Sequence, residues 1–229
     1  MTFSIAARCA RTGMLGVAVA SSSPAVAARC AFTRAGVGAV LTQNVTDPRL
    51  GPAVLAMLRG GEPRGDGVDP AAVIAALPAA GRFLAYRQVL IIDRRGRTGV
   101  HTGAKALGTV GEARGRDAVA AGNLLAAEGV PAAMVAAFEA AEGHLGVRLL
   151  AAIHAGEAAG GEAGPIRSAG LQIAHEQPWP YADLRCDWGD DPIGALAEAW
   201  RVYAPQADDY VARALDPSAA PSYGVPGDQ

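Results

Sequence analysis

The sequence predicts an α+β fold, a four-layer αββα sandwich in which two antiparallel sheets are flanked by helices. Three observations predict it. The strands come in pairs joined by short turns, as antiparallel hairpins do, and the helices also come in pairs between the groups of strands. The 229 residues are 51% hydrophobic and 18% charged, which is enough apolar material for one substantial core. Two stacked sheets with helices outside would bury the many alanines and valines.

The first two strands form a predicted β-hairpin. Residues 2–9 alternate with period two, which places Phe3 and Ile5 on one face of the strand. The turn-forming residues 11–13 follow, and residues 15–21 resume an apolar strand. These signals favour antiparallel pairing from the start of the chain.

A third strand and two helices are predicted next. The strand covers residues 35–43 and contains two glycines, which indicate a bulge or a close backbone approach. A helix from Leu50 ends at Gly60, since glycine commonly terminates helices. A second helix opens at Pro70, directly behind the N-cap residue Asp69.

The second half repeats this alternation and is predicted from the same signals. Its elements are strands at 86–93 and 98–102, helices at 131–141 and from 145 to the glycines at 160–161, strands at 168–174 and 183–188, a helix at 192–203 and a shorter amphipathic segment to 215. We expect residues 1–204 to form one domain and residues 205–229 a partly disordered C-terminal extension.

Composition and charge exclude several classes of partner. A net charge of −2 and a pI near 6.1, without any basic run, predict no nucleic-acid partner. No run of about 18 apolar residues is present, so no membrane span is expected. The three cysteines, Cys9, Cys30 and Cys186, are widely spaced and include no C-x-x-C pair. They indicate buried free thiols in a reducing compartment, hence the cytoplasm, in preference to a disulfide framework or a metal site.

An export signal is the alternative for the N-terminus. Arg8 and Arg11 precede the apolar residues 14–20, and residues 25–27 resemble a cleavage region. The apolar stretch is at the lower length limit, and the residues before the arginines already alternate as a strand. Export would cut the chain near Ala27 and remove the first hairpin.

Most motifs of cofactor and metal sites are missing from the sequence. There is no G-x-x-x-x-G-K-[ST] or G-x-G-x-x-G loop, so we expect no cofactor. The four histidines form no H-x-x-x-H pair, and no metal site is expected. Ser168 lacks the first glycine of a nucleophile elbow. Asp183 and Asp187 share a strand face with Arg185, which favours a solvated ion-pair cluster over an acid and base pair.

One residue at the N-terminus carries chemistry of its own. If Met1 is removed, Thr2 bears a hydroxyl and a free α-amine together. An α-amine titrates near pH ~7.7–8.0, so part of it is unprotonated at neutral pH and can accept the hydroxyl proton. This arrangement of threonine and N-terminal amine cleaves amides. The alternative is that Thr2 only begins an edge strand.

Ten short segments, taken in order, carry a family resemblance. They are residues 2–5 (TFSI), 16–21 (GVAVAS), 35–43 (AGVGAVLTQ), 87–88 (RQ), 101–103 (HTG), 122–123 (GN), 148–150 (RLL), 159–162 (AGGE), 168–169 (SA) and 183–185 (DLR). In this order they resemble the DUF1028 family of bacterial and archaeal proteins, over about residues 2–200. An ordered series is more specific than any single segment.

The resemblance implies an αββα sandwich similar to that of the N-terminal nucleophile (Ntn) hydrolases, with its first strand beginning at the nucleophile. The chain departs from the family pattern after Gly160-Gly161-Glu162, where an Arg-Gly-Gln run is expected and residues 164–167 read GPIR. Arg167 either replaces the expected arginine or is an ordinary loop charge.

The resulting hypothesis is hydrolysis of a small amide or peptide by Thr2. Backbone N–H groups or Asn123 would stabilise the oxyanion, although Asn123 could equally be a cap or turn residue. Ser21, Thr42 and Gln43 are candidate substrate-binding residues because neighbouring strand ends can lie beside Thr2, the alternative being strand-end hydrogen bonding. Arg167 completes the candidate set.

A non-catalytic protein is the competing reading. It would keep the Ntn-like sandwich and use its cleft to bind a small ligand or to support assembly, and Thr2→Ala would leave its binding intact. For either function, edge strands and an apolar composition predict a homodimer with two-fold symmetry.

Overall fold

The computed structural model describes residues 1–60 and 67–224. Its strands are β1 Thr2–Arg8, β2 Leu15–Ser21, β3 Ala31–Arg34, β4 Gly38–Asn44, β5 Arg87–Asp93, β6 Thr98–Thr102, β7 Gly111–Gly115, β8 Ala118–Asn123, β9 Ser168–Ala174 and β10 Ala182–Cys186. Its α-helices are α1 Val26–Cys30, α2 Leu50–Arg59, α3 Pro70–Ala80, α4 Val130–Ala140, α5 Leu145–Ala158, α6 Pro192–Tyr203 and α7 Ala207–Leu215. Short 3-10 turns lie at Leu84–Tyr86 and Ala204–Gln206.

Two antiparallel sheets form the centre of the molecule. One has six strands in the order β10-β9-β2-β1-β8-β7, and the other has four in the order β3-β4-β5-β6. Helices α4 and α5 cover the outer face of the six-stranded sheet, while α2 and α3 cover that of the four-stranded sheet. The predicted four-layer αββα sandwich is confirmed.

Alternate side chains of strand β1 point to opposite faces of its sheet, one toward the helices and the other toward the second sheet. Phe3 and Ile5 are fully buried against the α4 and α5 layer, and Ala6 lies in the core between the two sheets. Because side chains alternate along a strand, Thr2 and Ser4 share the inter-sheet face with Ala6. The period-two pattern of the sequence is therefore confirmed, and it directs the Thr2 hydroxyl between the sheets.

The register of the six-stranded sheet gathers several polar residues at one end. Thr2 pairs with Asn123 across β1 and β8, and Ser21 pairs with Ser168 across β2 and β9. Phe3 lies opposite Ala20, so Thr2 and Ser21 are adjacent at the end of the β1 and β2 hairpin. The candidate site is built at this end.

Some elements differ from the sequence expectation. The strand predicted at 35–43 is the second half of a hairpin, because a turn at 35–37 separates β3 from β4. Strands β7 and β8 were not predicted, and β8 reads AVAAGN with a single β-branched residue, which gives little strand propensity. A Cβ at Gly111 would lie 2.7 Å from the backbone oxygen of Glu128, so close packing of the chain selects glycine in β7.

The segment after residue 204 contacts the core. Ala207 at the start of α7 is fully buried, and Asp208 accepts a hydrogen bond of 2.9 Å from the Tyr181 hydroxyl. Within residues 1–60 and 67–224, no helix is long and apolar enough to cross a bilayer.

Candidate functional site

The Thr2 hydroxyl lies at the N-terminal end of β1 and is directed between the sheets. Thr2 is 5% exposed, and its Oγ1 lies 3.3 Å from Ser21 Oγ. Both hydroxyls donate to the backbone carbonyl of Met1. The carbonyl of the Met1–Thr2 peptide bond is thus held by two side-chain donors.

Ser21 is oriented by the segment that follows it. The backbone N–H of Ser23 donates to Ser21 Oγ at 3.1 Å. The hydroxyl oxygens of Ser21 and Ser23 lie 2.9 Å apart. The Arg29 guanidinium donates to Ser23 Oγ at 3.0 Å. Ser168 Oγ donates to the Ser23 carbonyl at 2.6 Å and accepts from the Val26 N–H at 3.1 Å. These bonds fix the position of Ser21 beside Thr2.

A ladder of fully buried polar side chains runs between the sheets below Thr2. Its members are Ser4, Gln43, Gln88 and Asn123. Ser4 Oγ donates to Gln43 Oε1 at 2.7 Å, and Gln43 Nε2 donates to Gln88 Oε1 at 2.8 Å. Gln88 Oε1 also accepts from Asn123 Nδ2 at 3.2 Å. Buried polar groups are stable only when bonded in this way.

Hydrogen bonds to backbone carbonyls fix the orientation of the side-chain amides in this ladder. Gln88 Nε2 donates to the Gly122 carbonyl at 3.2 Å, and Gln43 Nε2 donates to the Ala121 carbonyl at 3.3 Å. A carbonyl only accepts, so the Oε1 of Gln88 must face Asn123, and Asn123 must present its Nδ2. Its Oδ1 is buried without a partner in the described part of the chain.

Glu162 is brought to the same end of the sheet by the loop after α5. Gly160 and Gly161 have φ values of 110° and 58°, conformations that favour glycine. Glu162 then forms an isolated β-bridge with Leu125, two residues after Asn123. The Gly-Gly turn therefore places a carboxylate next to the end of β8.

The Glu162 carboxylate is 4% exposed, and neither oxygen has a hydrogen-bond partner among the described residues. Burial raises its pKa to about 7. The hydroxyl of Ser22, the positive N-terminus and the N–H of Ser22 act in the opposite direction on this pKa, so Ser22 and the N-terminus lie near the carboxylate. Neither meets the geometry of a hydrogen bond to it. An unbonded buried carboxylate is costly when ionised.

The other two buried carboxylates in the described part of the chain are paired. Arg49 donates to both oxygens of Asp47 at 2.8 and 2.9 Å, and this hydrogen bonding lowers the pKa of Asp47. Asp93 accepts from Arg97 Nε at 2.6 Å and from two backbone N–H groups. Glu162 lacks such a partner in the described residues. Sequence reasoning missed it because only its place after two glycines marked it.

The structure places four of the predicted site residues at the space between the sheets and one, Thr42, on the opposite face of its sheet. Thr2 and Ser21 are in direct contact, and Gln43 and Asn123 are joined through Gln88. Thr42 faces the other way, toward α2, where its hydroxyl lies 3.5 Å from the Asp47 carbonyl. Adjacent strand residues alternate faces, so Thr42 and Gln43 cannot both reach the space between the sheets.

Arg167 contacts the site through its backbone. Its N–H donates to the Ser21 carbonyl at 2.8 Å. Its guanidinium instead pairs with Asp190 and lies 5.8 Å from the ring centroid of Trp188. The predicted surface ion pair of Arg185 with Asp183 is present, at 2.7 Å.

A groove of about 450 Å³ lies at the opposite end of the six-stranded sheet, between Cys9, Arg11, Asp117 and Glu142. It contains none of the predicted site residues. Among residues 1–60 and 67–224, no group of three or more His, Cys, Asp or Glu side chains could hold a metal ion. The candidate site therefore consists of Thr2 and its neighbours, and this groove lies outside it.

Comparison with known proteins gives matches among solved structures, two of which are described here, and a match to one family. A crystal structure of protein SPO2555 from Silicibacter pomeroyi, itself described by DUF1028, matches with a TM-score of 0.79 and 30% identity, over 89% of each chain. Anbu from Hyphomicrobium sp. strain MC1 matches with a TM-score of 0.38 and 12% identity, over 91% of this chain and 97% of that one. That second likeness is too low to carry an inference. No curated protein matches the chain.

The family model for DUF1028 matches residues 2–196. This range includes Thr2, Ser21, Asn123 and Glu162, so the whole candidate site lies inside the matched region. The chain therefore belongs to DUF1028, a family of unknown function.

Proposed function

We propose that this chain hydrolyses a small amide or peptide with Thr2 as an N-terminal nucleophile, after removal of Met1. The observation that carries the proposal is the position of the Thr2 hydroxyl: it lies between the sheets, 3.3 Å from a second hydroxyl, at the residue that would bear the α-amine. A nucleophile with an adjacent base is the requirement for this chemistry. The four-layer sandwich, with its first strand beginning at Thr2, supports an Ntn-like assignment.

The reaction follows from the groups at this end of the sheet. The Thr2 α-amine accepts the proton of Oγ1, and Oγ1 attacks the carbonyl carbon of the amide. The Ser21 hydroxyl, which now donates to the Met1 carbonyl, would donate to the oxyanion, together with the second N–H of Asn123. The α-ammonium returns the proton to the leaving nitrogen as the C–N bond breaks. Water then hydrolyses the acyl ester and frees Thr2.

The test begins with the state of the N-terminus. For this test the protein is expressed with an affinity tag at its C-terminus, so that the N-terminus stays native. The intact mass then reports whether Met1 has been removed. Processed wild type, Thr2→Ala and the control Thr33→Ala are screened against a library of amides. Turnover that Thr2→Ala abolishes and Thr33→Ala keeps supports the proposal. A native protein that retains Met1 would contradict the free-amine mechanism.

One observation favours a non-catalytic alternative. With Met1 present, the hydroxyls of Thr2 and Ser21 both donate to its carbonyl and are not free to act on a substrate. The chain would then bind a small ligand or support assembly without turnover. This alternative expects Thr2→Ala to retain ligand binding and biological activity. A Thr2-dependent rate on any amide would exclude it.

We also propose that the chain acts as a homodimer in the cytoplasm, with residues 1–204 as the functional domain. The supporting feature is that each sheet ends in two edge strands with no further strand beside them among residues 1–60 and 67–224: β7 and β10 in one sheet, β3 and β6 in the other. Sedimentation at micromolar concentration is expected to show the dimer, and a purely monomeric profile would contradict it.

A further inference from the structure

Met1 makes two contacts at the candidate site, and its charged α-amino group lies near Glu162. Its carbonyl accepts hydrogen bonds from Thr2 and Ser21. Its thioether lies against Gly164, where a Cβ would be only 2.9 Å from Met1 Cε and 3.4 Å from Sδ. Its α-amino group is close enough to Glu162 for the positive charge to lower the pKa of that carboxyl. The residue ahead of Thr2 is therefore held by hydrogen bonds to its carbonyl and by packing of its side chain, with its ammonium on the side of Glu162.

The surroundings of Met1 contain three acceptor atoms, on two residues, for which no described residue provides a hydrogen bond. Both Glu162 oxygens and Asn123 Oδ1 lack a donor, and the two residues are 4% and 0% exposed. An unsatisfied buried acceptor costs free energy, most of all when it is charged. A molecule that fits here must bring N–H donors, and one donor group must be cationic to match a carboxylate.

We propose that the site binds α-amino acyl compounds, whose free ammonium pairs with Glu162 and whose carbonyl takes the place of the Met1 carbonyl between Thr2 and Ser21. The side chain of the acyl group lies against Gly164, as the Met1 thioether does. Glu162 is thus a specificity-determining residue that selects amides carrying an α-ammonium group. This inference rests on the proposed function for the placement of the acyl group beside Thr2.

The substrate class follows from these three positions. Amino acid amides and short peptides with a free N-terminus have an ammonium one carbon away from the carbonyl, as Met1 does. Neutral amides of the same shape leave the Glu162 carboxylate without its partner, and N-acylated peptides replace the ammonium with an uncharged amide. A buried charge-assisted hydrogen bond changes affinity by roughly 10- to 100-fold. The site therefore predicts a difference in affinity of that size between ligands with and without the α-ammonium group.

The test compares two ligands that differ only in the amine. L-methioninamide and its deaminated analogue 4-(methylthio)butanamide are titrated into processed Thr2→Ala chain near pH 7, below the usual α-amine pKa of about 7.7–8.0. Binding is measured by calorimetry, so no turnover is needed. We expect L-methioninamide to bind roughly tenfold or more tightly than the analogue. Equal affinities would overturn the inference without any further variant.

Two more variants assign the preference to Glu162. Added to Thr2→Ala, Glu162→Gln is expected to bring the two affinities within about twofold, because a neutral amide gives no ionic preference. The matched control is Glu157→Gln on α5, whose carboxylate is 44% exposed and which should keep the full preference. A preference that survives Glu162→Gln would overturn the assignment.

The result is separable from the proposed hydrolysis. If processed wild type hydrolyses amides but the two ligands bind equally, the inference fails and the hydrolase proposal stands. If no amide is hydrolysed but the ammonium preference is present and depends on Glu162, the hydrolase proposal fails and the binding site stands.

Discussion

Replacing Glu162 by glutamine is expected to change how stability depends on pH. Burial raises the pKa of this carboxyl from an ordinary 4.5 to about 7 in the folded chain, whereas the unfolded chain ionises near the ordinary value. Between these two pH values the folded state holds a proton that the unfolded state has released. The free energy of unfolding therefore falls as pH rises through this window and becomes level above it.

The magnitude follows from the difference of about 2.5 pH units at 1.36 kcal/mol per unit, which gives a loss of about 3 kcal/mol as an upper value. Glu162→Gln cannot ionise and lacks this loss. Its free energy of unfolding relative to wild type should rise by about 2 to 3 kcal/mol between pH 5 and pH 8. Any difference in hydrogen bonding between the glutamine amide and the protonated acid is constant with pH and cancels in this comparison.

The assay is urea unfolding at pH 5, 6, 7 and 8, on chains that keep Met1. Titrations of all other groups are common to both proteins and drop out of the comparison. Glu157→Gln serves as the control, since its carboxylate is half-exposed and should run parallel to wild type. If Glu162→Gln also runs parallel to wild type over this range, the reasoning about the buried carboxyl is refuted.

Three further predictions concern the site and its supports. Thr2→Ser should keep measurable amide hydrolysis, and Thr2→Ala should lower it by at least about 1000-fold; equal rates would remove Thr2 from the chemistry. Gly51→Ala should destabilise the fold by about 1–3 kcal/mol in urea, because its Cβ would lie 2.2 Å from the Phe32 ring, and an unchanged midpoint would contradict this packing. Gln88→Leu should cost about 2–4 kcal/mol by leaving Asn123 and its neighbours unbonded; a loss under about 0.5 kcal/mol would show that the buried ladder is replaceable.

Local pattern was sufficient for much of the fold. The alternation of Phe3 and Ile5 identified the face of β1 that meets the helices. Asp69 accepts the predicted capping bond from the Ala71 N–H, at 2.8 Å. These features depend on residues a few positions apart, so the sequence contains them directly.

Features that depend on distant residues were not recoverable in this way. Strand β8 is made of small residues and is a strand because β1 and β7 lie on either side of it. Ser21 was correctly placed at a strand end, but whether Thr42 or Gln43 faced Thr2 depended on the register with the second sheet. Glu162 has no hydrogen-bond partner among the residues that the structure describes. This depends on how distant parts of the chain assemble around it, so no local pattern predicts it.

The grip of Thr2 and Ser21 on the Met1 carbonyl has a practical consequence for anyone who prepares this protein. A tag or leader fused ahead of Met1 would pass through the same space, between the two hydroxyls, Gly164 and Glu162. In purified material of that kind, the space beside Thr2 would be filled by the fused segment. A negative activity screen on such material would not test the proposed hydrolysis, because the fusion occupies the space beside Thr2.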